Sequence, residues 1–88
     1  MQTTSTTWSV YIIEASDTSF YTGITTDVER RFKEHMQCRK GAKYFNGRKP
    51  ISVVYREHGH SRSSASRREA EIKKLSRSEK EFLISGTG

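Results

Sequence analysis

Residues 8–13, WSVYII, are aromatic and β-branched, the composition of a strand. Residues 15–19, ASDTS, interrupt them with a polar stretch, and strand character resumes in FYTGI over 20–24. Two such runs around a short polar connection predict an antiparallel hairpin. The period of the apolar positions then changes. Val28, Phe32 and Met36 recur every fourth residue, a helical stripe that Thr26 or Asp27 can cap and that runs to about Gln37. After Pro50, the chain's only proline, ISVVY over 51–55 predicts a third strand. Residues 38–49 lie between them as a basic connection containing aromatics and one short helical turn. Ser61 or Ser63 can open a second helix reaching about Leu75, with Ala65, Ile72 and Leu75 on its buried side. Ser76 can open a third helix, ending at Ile84, with Glu79 completing a capping box. The order β-β-α-β-α-α predicts an α+β domain, a small sheet covered by helices.

Length and charge narrow this picture. The 88 residues make one small domain, expected over 8–84 between flexible ends at 1–7 and 85–88. Hydrophobic residues are only 32% of the chain, so the core is thin. Sixteen Lys+Arg against 10 Asp+Glu leave a net charge of +6, which favours a polyanionic partner, nucleic acid before an anionic membrane surface. A single cysteine, Cys38, excludes an internal disulfide framework and a Cys-based zinc finger. No apolar run approaches the roughly 18 residues of a membrane span. The first residues carry no signal-peptide pattern, so a cytoplasmic setting is expected. His58-Gly59-His60 lacks further ligands beyond Glu57 and reads as a turn.

The polar residues that fall on or beside apolar faces are the informative ones. At about 100° per residue, Arg31 and His35 lie at the margin of the Val28 stripe, whereas Arg30 points away. Glu69, four after Ala65 and three before Ile72, lies near the buried side of its helix; Glu71 does not. In the hairpin, Tyr11 and Tyr21 share a sheet face if the turn holds an odd number of residues. Strand alternation and helical phase thus aim two phenols, a guanidinium, an imidazole and a carboxylate at one face. Such a set suits phosphodiester hydrolysis: the carboxylate holds one divalent metal, a phenol orients or deprotonates water, and Arg neutralises developing charge. One carboxylate argues against a two-metal site. Lys43, Arg48 and Lys49, with Tyr44 and Phe45 among them, form a candidate phosphate-gripping and stacking loop, and Arg68 a further phosphate contact. The bland reading is a solvated basic loop and helix surface.

Ser9-Val10-Tyr11, followed after strand and turn by Tyr21-Thr22-Gly23, resembles the paired tripeptides of the GIY-YIG endonuclease superfamily. The segment 24–35, ITTDVERRFKEH, resembles that family's first helix, with Arg31 and His35 four apart, and Glu69 stands in place of its later helical glutamate. The likeness spans roughly residues 8–84 and is closest to small stand-alone bacterial members. It implies a three-stranded antiparallel sheet flanked by helices and a one-metal DNA endonuclease site with a role in repair or recombination. On that pattern Tyr11 and Tyr21 are the motif tyrosines, one of them a candidate general base, and Gly23 allows close backbone approach. Arg31 binds the scissile phosphate, His35 assists proton transfer or positioning, and Glu69 carries a single Mg²⁺ or Mn²⁺. The chain departs from the pattern at Ser9 for Gly, Thr22 for Ile, and Ile24 where some repair-type members have Lys. It also lacks a late Asn. Targeting is expected from a partner protein or from the basic surface. The alternatives are a non-catalytic nucleic-acid-binding domain that keeps the fold and, more weakly, an adaptor for an acidic protein.

Overall fold

The protein is described by a computed structural model covering residues 7–37 and 49–86. Its elements are β1 (Trp8–Ala15), β2 (Phe20–Thr25), α1 (Val28–Gln37), β3 (Pro50–His60), α2 (Arg62–Lys73) and α3 (Arg77–Ser85). The sheet order is β2-β1-β3, with both pairs antiparallel, so the fold is the α+β arrangement of order β-β-α-β-α-α. β1 takes the centre because it is apolar on both sides: Val10, Ile12 and Ile13 are all 0% exposed. Tyr11, Ile13 and Ala15 pack with Val28 and Phe32 of α1 on one face. Val10 and Ile12 pack with Ala65 and Ile72 of α2, and with Leu83 and Ile84 of α3, on the other.

The hairpin connection is odd-numbered. Glu14 pairs with Phe20, leaving residues 15–19 as the turn, and Tyr11 faces Gly23 while Ile13 faces Tyr21. Both tyrosines therefore lie on the α1 side. Asp27 caps α1 through its Oδ1, which accepts from the Arg30 amide at 3.1 Å. Ser61 caps α2 and Ser76 caps α3, each in a reciprocal capping box, with Ser64 and Glu79 respectively.

Three features differ from the sequence expectation. Met36 is 56% exposed and His35 0%, so the buried stripe of α1 is rotated toward its polar members. β3 runs well past Tyr55, because Arg56–His60 continue to pair with β1 as far as Trp8. His58-Gly59-His60 is consequently the bulged end of a strand and not a turn: Trp8 pairs with His60 but Val10 with Glu57, which inserts one extra residue, and Gly59 takes φ +82°. Most of the basic connection, including Cys38, Lys43 and Arg48, lies outside the described residues, as do residues 1–6 and 87–88. α3 includes Ser85, and Gly86 caps it through a bond to the Phe82 carbonyl.

Candidate active site

Tyr11 sits mid-strand in β1, 1% exposed, with its ring laid across the backbone of Gly23 on β2. A Cβ at residue 23 would stand 2.6 Å from Tyr11 Oη and 2.7 Å from Cζ, so only glycine leaves room for the phenol. From that position Tyr11 Oη lies 3.1 Å from Nε2 of His35 on α1. The Tyr21 ring meets the His35 ring edge-on, with centroids 5.3 Å apart, and lies 6.2 Å from Tyr11. One helical turn before His35, the Arg31 guanidinium donates through Nη1 at 2.9 Å to Glu34 Oε1, and its charge acts on the Tyr11 phenol. The side chain of Arg31 is 30% exposed, the others mostly covered, so the cluster presents its cation to solvent.

Burial sets the protonation states. Desolvation, reinforced by the charge of Arg31, lowers the His35 pKa to about 4, so the imidazole is neutral at pH 7. Desolvation, with Tyr21 second, pushes the Tyr11 phenol far above its ordinary value, so it keeps its proton. The resting arrangement is a neutral phenol against a neutral imidazole, with a guanidinium at the rim. It can receive an anion at Arg31 and relay a proton between Tyr11 and His35.

Glu69 makes none of these hydrogen bonds or ring contacts. It falls between Ala65 and Ile72 as helical phase requires, with its side chain 23% exposed against 66% for Glu71. The buried residues of α2, however, pack on the Val10–Ile12 face, and the Glu69 carboxylate takes Lys73 Nζ at 3.2 Å, its only ionic or hydrogen-bonding partner among the described residues. Tyr11, Tyr21 and His35 are thus in contact with one another and within the field of Arg31, while the ionic partner of Glu69 is Lys73 on its own helix. Among the described residues no group of three His, Cys, Asp or Glu side chains could hold a metal ion. Lys49 is exposed, its backbone tied to Ser16 at 2.8 and 3.0 Å. Arg68 donates to Glu57 at 2.9 Å and to Glu71 at 3.1 Å.

Two partners were not anticipated from sequence. Glu34, three residues after Arg31, is legible as a helix neighbour that steadies the guanidinium. Glu57 joins Arg68 to Tyr55 and His60 across β3 and α2, a contact without a local signal. An apolar groove of about 660 Å³, lined by Tyr55, Leu75, Phe82 and Leu83 among others, includes none of the Tyr11 cluster.

Two strand tyrosines joined by a hairpin and closed by an Arg–His pair on the first helix define a nuclease-type domain. The chain belongs to the GIY-YIG family: the family model described as the GIY-YIG catalytic domain matches residues 7–82. Among curated relatives, a UPF0213 protein of Desulfotalea psychrophila is 48% identical over 88% of this chain and 70% of its own length. One from Halobacterium salinarum is 53% identical over 85% of this chain and 96% of its own. The solution NMR structure of a UPF0213 protein from Bacillus halodurans superimposes with a TM-score of 0.59 at 49% identity, covering 93% of this chain and 86% of that one. No described helix is long and apolar enough to cross a membrane.

Proposed function

We propose that this protein is a divalent-metal-dependent endonuclease that hydrolyses DNA phosphodiesters in the cytoplasm, in repair or recombination. The observation that carries the reading is the Tyr11–His35 contact at 3.1 Å, with the charge of Arg31 acting on both groups. Arg31 meets the scissile phosphate and neutralises charge as it builds on the non-bridging oxygens. Tyr11 orients the attacking water and passes its own proton to His35 as it takes the water's. A buried imidazole with a pKa of about 4 is a reluctant acceptor, but an arriving phosphate anion raises its proton affinity. Tyr21 packs on His35 and holds the ring in place, and Gly23 does the same for Tyr11 by yielding space.

The carboxylate most suited to a metal is Glu69. Glu69 would hold a single Mg²⁺ or Mn²⁺ through the carboxylate that here pairs with Lys73. Bound there, the ion would supply Lewis-acid stabilisation of phosphate oxygens. The pairing of Glu69 with Lys73 at 3.2 Å favours the second reading, a nucleic-acid-binding domain without catalysis.

Nicking of plasmid and branched DNA with Mg²⁺ or Mn²⁺ separates the two. Glu69→Ala is expected to abolish cleavage and leave binding intact or stronger, because a negative charge near phosphate is removed. Arg31→Ala lowers both rate and affinity. Tyr11→Phe keeps binding but loses roughly 10²–10⁴ in rate. A wild type that binds DNA yet cuts none of these substrates establishes the binding-only reading. Wild-type cleavage by Glu69→Ala removes Glu69 from the site.

A further inference from the structure

The bulge at the end of β3 builds a second polar feature on the face that carries Tyr11. Ser9 is two residues before Tyr11 on β1 and shares its side of the sheet. It is 7% exposed, and its hydroxyl lies 2.9 Å from Nδ1 of His58. Without the extra residue, His58 and His60 would point the same way. The bulge at Gly59 separates them: His60 turns to the α2 side, where Nε2 meets Glu57 and Nδ1 meets Ser64, each at 2.9 Å, while His58 turns to Ser9. His58 is exposed, and its Nε2 has no partner among the described residues.

We propose that His58 is a nucleic-acid phosphate contact flanking the Tyr11–His35 site, and that Ser9 is the positioning residue that holds it there. The inference rests on the DNA-processing reading above. Two residues of strand place Ser9 about 7 Å from Tyr11, comparable with the step between successive phosphates of one strand. A flanking phosphate is thus in reach when the scissile one sits at Arg31. The chemistry of the pair suits an anion. When the Ser9 hydroxyl donates to Nδ1, a neutral imidazole carries its proton on Nε2, and a protonated one carries it there as well. In both states an N–H points outward, fixed by a buried partner and not by a flexible stem. Arg56, opposite Tyr11 on β3, lies on the same face, its guanidinium 3.1 Å from Glu29. A glycine at residue 9, as the family motif is written, would leave His58 untethered.

The test is fluorescence anisotropy of a labelled oligonucleotide at low salt with His58→Ala, Ser9→Ala, the double variant, His58→Gln and Arg31→Ala, each checked for an unchanged thermal melt. His58→Ala is expected to weaken binding about threefold to tenfold, and Ser9→Ala about twofold to threefold. The double variant should bind no more weakly than His58→Ala, because Ser9 acts only through His58. His58→Gln, which keeps an outward N–H, should recover most of the loss. Imidazole ¹⁵N shifts should show Nδ1 of His58 moving toward the value of an unbonded pyridine-type nitrogen in Ser9→Ala, a change that a serine not bonded to His58 would not cause. Binding by His58→Ala within twofold of wild type overturns the proposal, as does an undiminished Ser9→Ala effect in the His58→Ala background. If Arg31→Ala weakens binding and His58→Ala does not, only this inference fails. If the wild type binds no DNA, the DNA-processing reading fails and takes this inference with it.

Discussion

At the scale of single residues, the site depends on one missing side chain and one buried ring. Gly23→Ala would drive a methyl into the Tyr11 phenol at 2.6 Å, and the neighbouring atoms are a ring in a packed sheet, with little freedom to give way. The substitution is expected to cost about 1–3 kcal/mol and to break the Tyr11–His35 contact. Denaturant unfolding measures the first and aromatic NOEs the second. In a Tyr11→Ala background the same change should cost little, since the clash has gone. His35 makes the fold sensitive to acid. Its folded pKa of about 4 lies below the ordinary 6.5, so the unfolded chain binds more protons between those values. Stability is therefore full above pH 6.5 and falls as pH drops toward 4, by about 3 kcal/mol from this group alone. His35→Gln should flatten that part of the profile; an equal slope in both proteins would show that His35 is not the cause. Tyr11, Tyr21, Arg31 and His35 were legible in the sequence because strand alternation and helical phase are local. The complete burial of His35 was not, since it follows from a hydroxyl presented by another element.

At the scale of elements, the same alternation that gathers the tyrosines sends their neighbours to the opposite face. Thr22 pairs with Ile12, is 2% exposed, and its Oγ1 is buried without a hydrogen-bond partner among the described residues. Thr22→Val keeps the branched shape and removes the unsatisfied hydroxyl, so it should raise stability by about 1 kcal/mol. The urea midpoint should rise with an unchanged slope, and cleavage should be unaffected because the side chain points to the sheet face opposite Tyr11 and Tyr21. A lower midpoint would mean that the hydroxyl is satisfied in solution. The order of elements, the odd hairpin turn and the Ser61 and Ser76 caps were readable because each rests on contacts within a few residues. The length of β3 was not. Arg56–His60 contain no run of β-branched residues, and what makes them a strand is pairing with β1, a partner more than forty positions away in the chain. α2 shows the same limit: phase places Glu69 between Ala65 and Ile72, while the packing of those two against Val10 and Ile12 joins residues more than fifty positions apart.

At the scale of the whole molecule, the charge of +6 is distributed unevenly between paired and unpaired cations. Arg31 shares Glu34 with Arg30, Arg56 meets Glu29, Arg68 meets Glu57 and Glu71, Lys73 meets Glu69, and Arg77 meets Glu81. These pairs consume most of the described carboxylates. Lys49, Arg67, Lys74 and Lys80 have no carboxylate partner among the described residues, so the excess field belongs to groups like these and to the basic connection. A phosphate that replaces water at an unpaired lysine releases a counterion, whereas one that approaches Arg68 must first compete with two carboxylates. DNA affinity should therefore fall steeply between low and moderate salt. Double substitution of Lys43 and Lys49 by alanine should reduce the slope of log K against log salt by about 2, if both reach phosphates. Arg68→Ala should leave that slope unchanged and instead lower stability by about 1–3 kcal/mol, because it strands Glu57 beside Tyr55 and His60. The contrast separates the two kinds of cation in one set of titrations. A slope reduced by about 1 in Arg68→Ala would show that the Glu57 network opens to receive DNA, and an affinity independent of salt would point to a partner other than a polyanion.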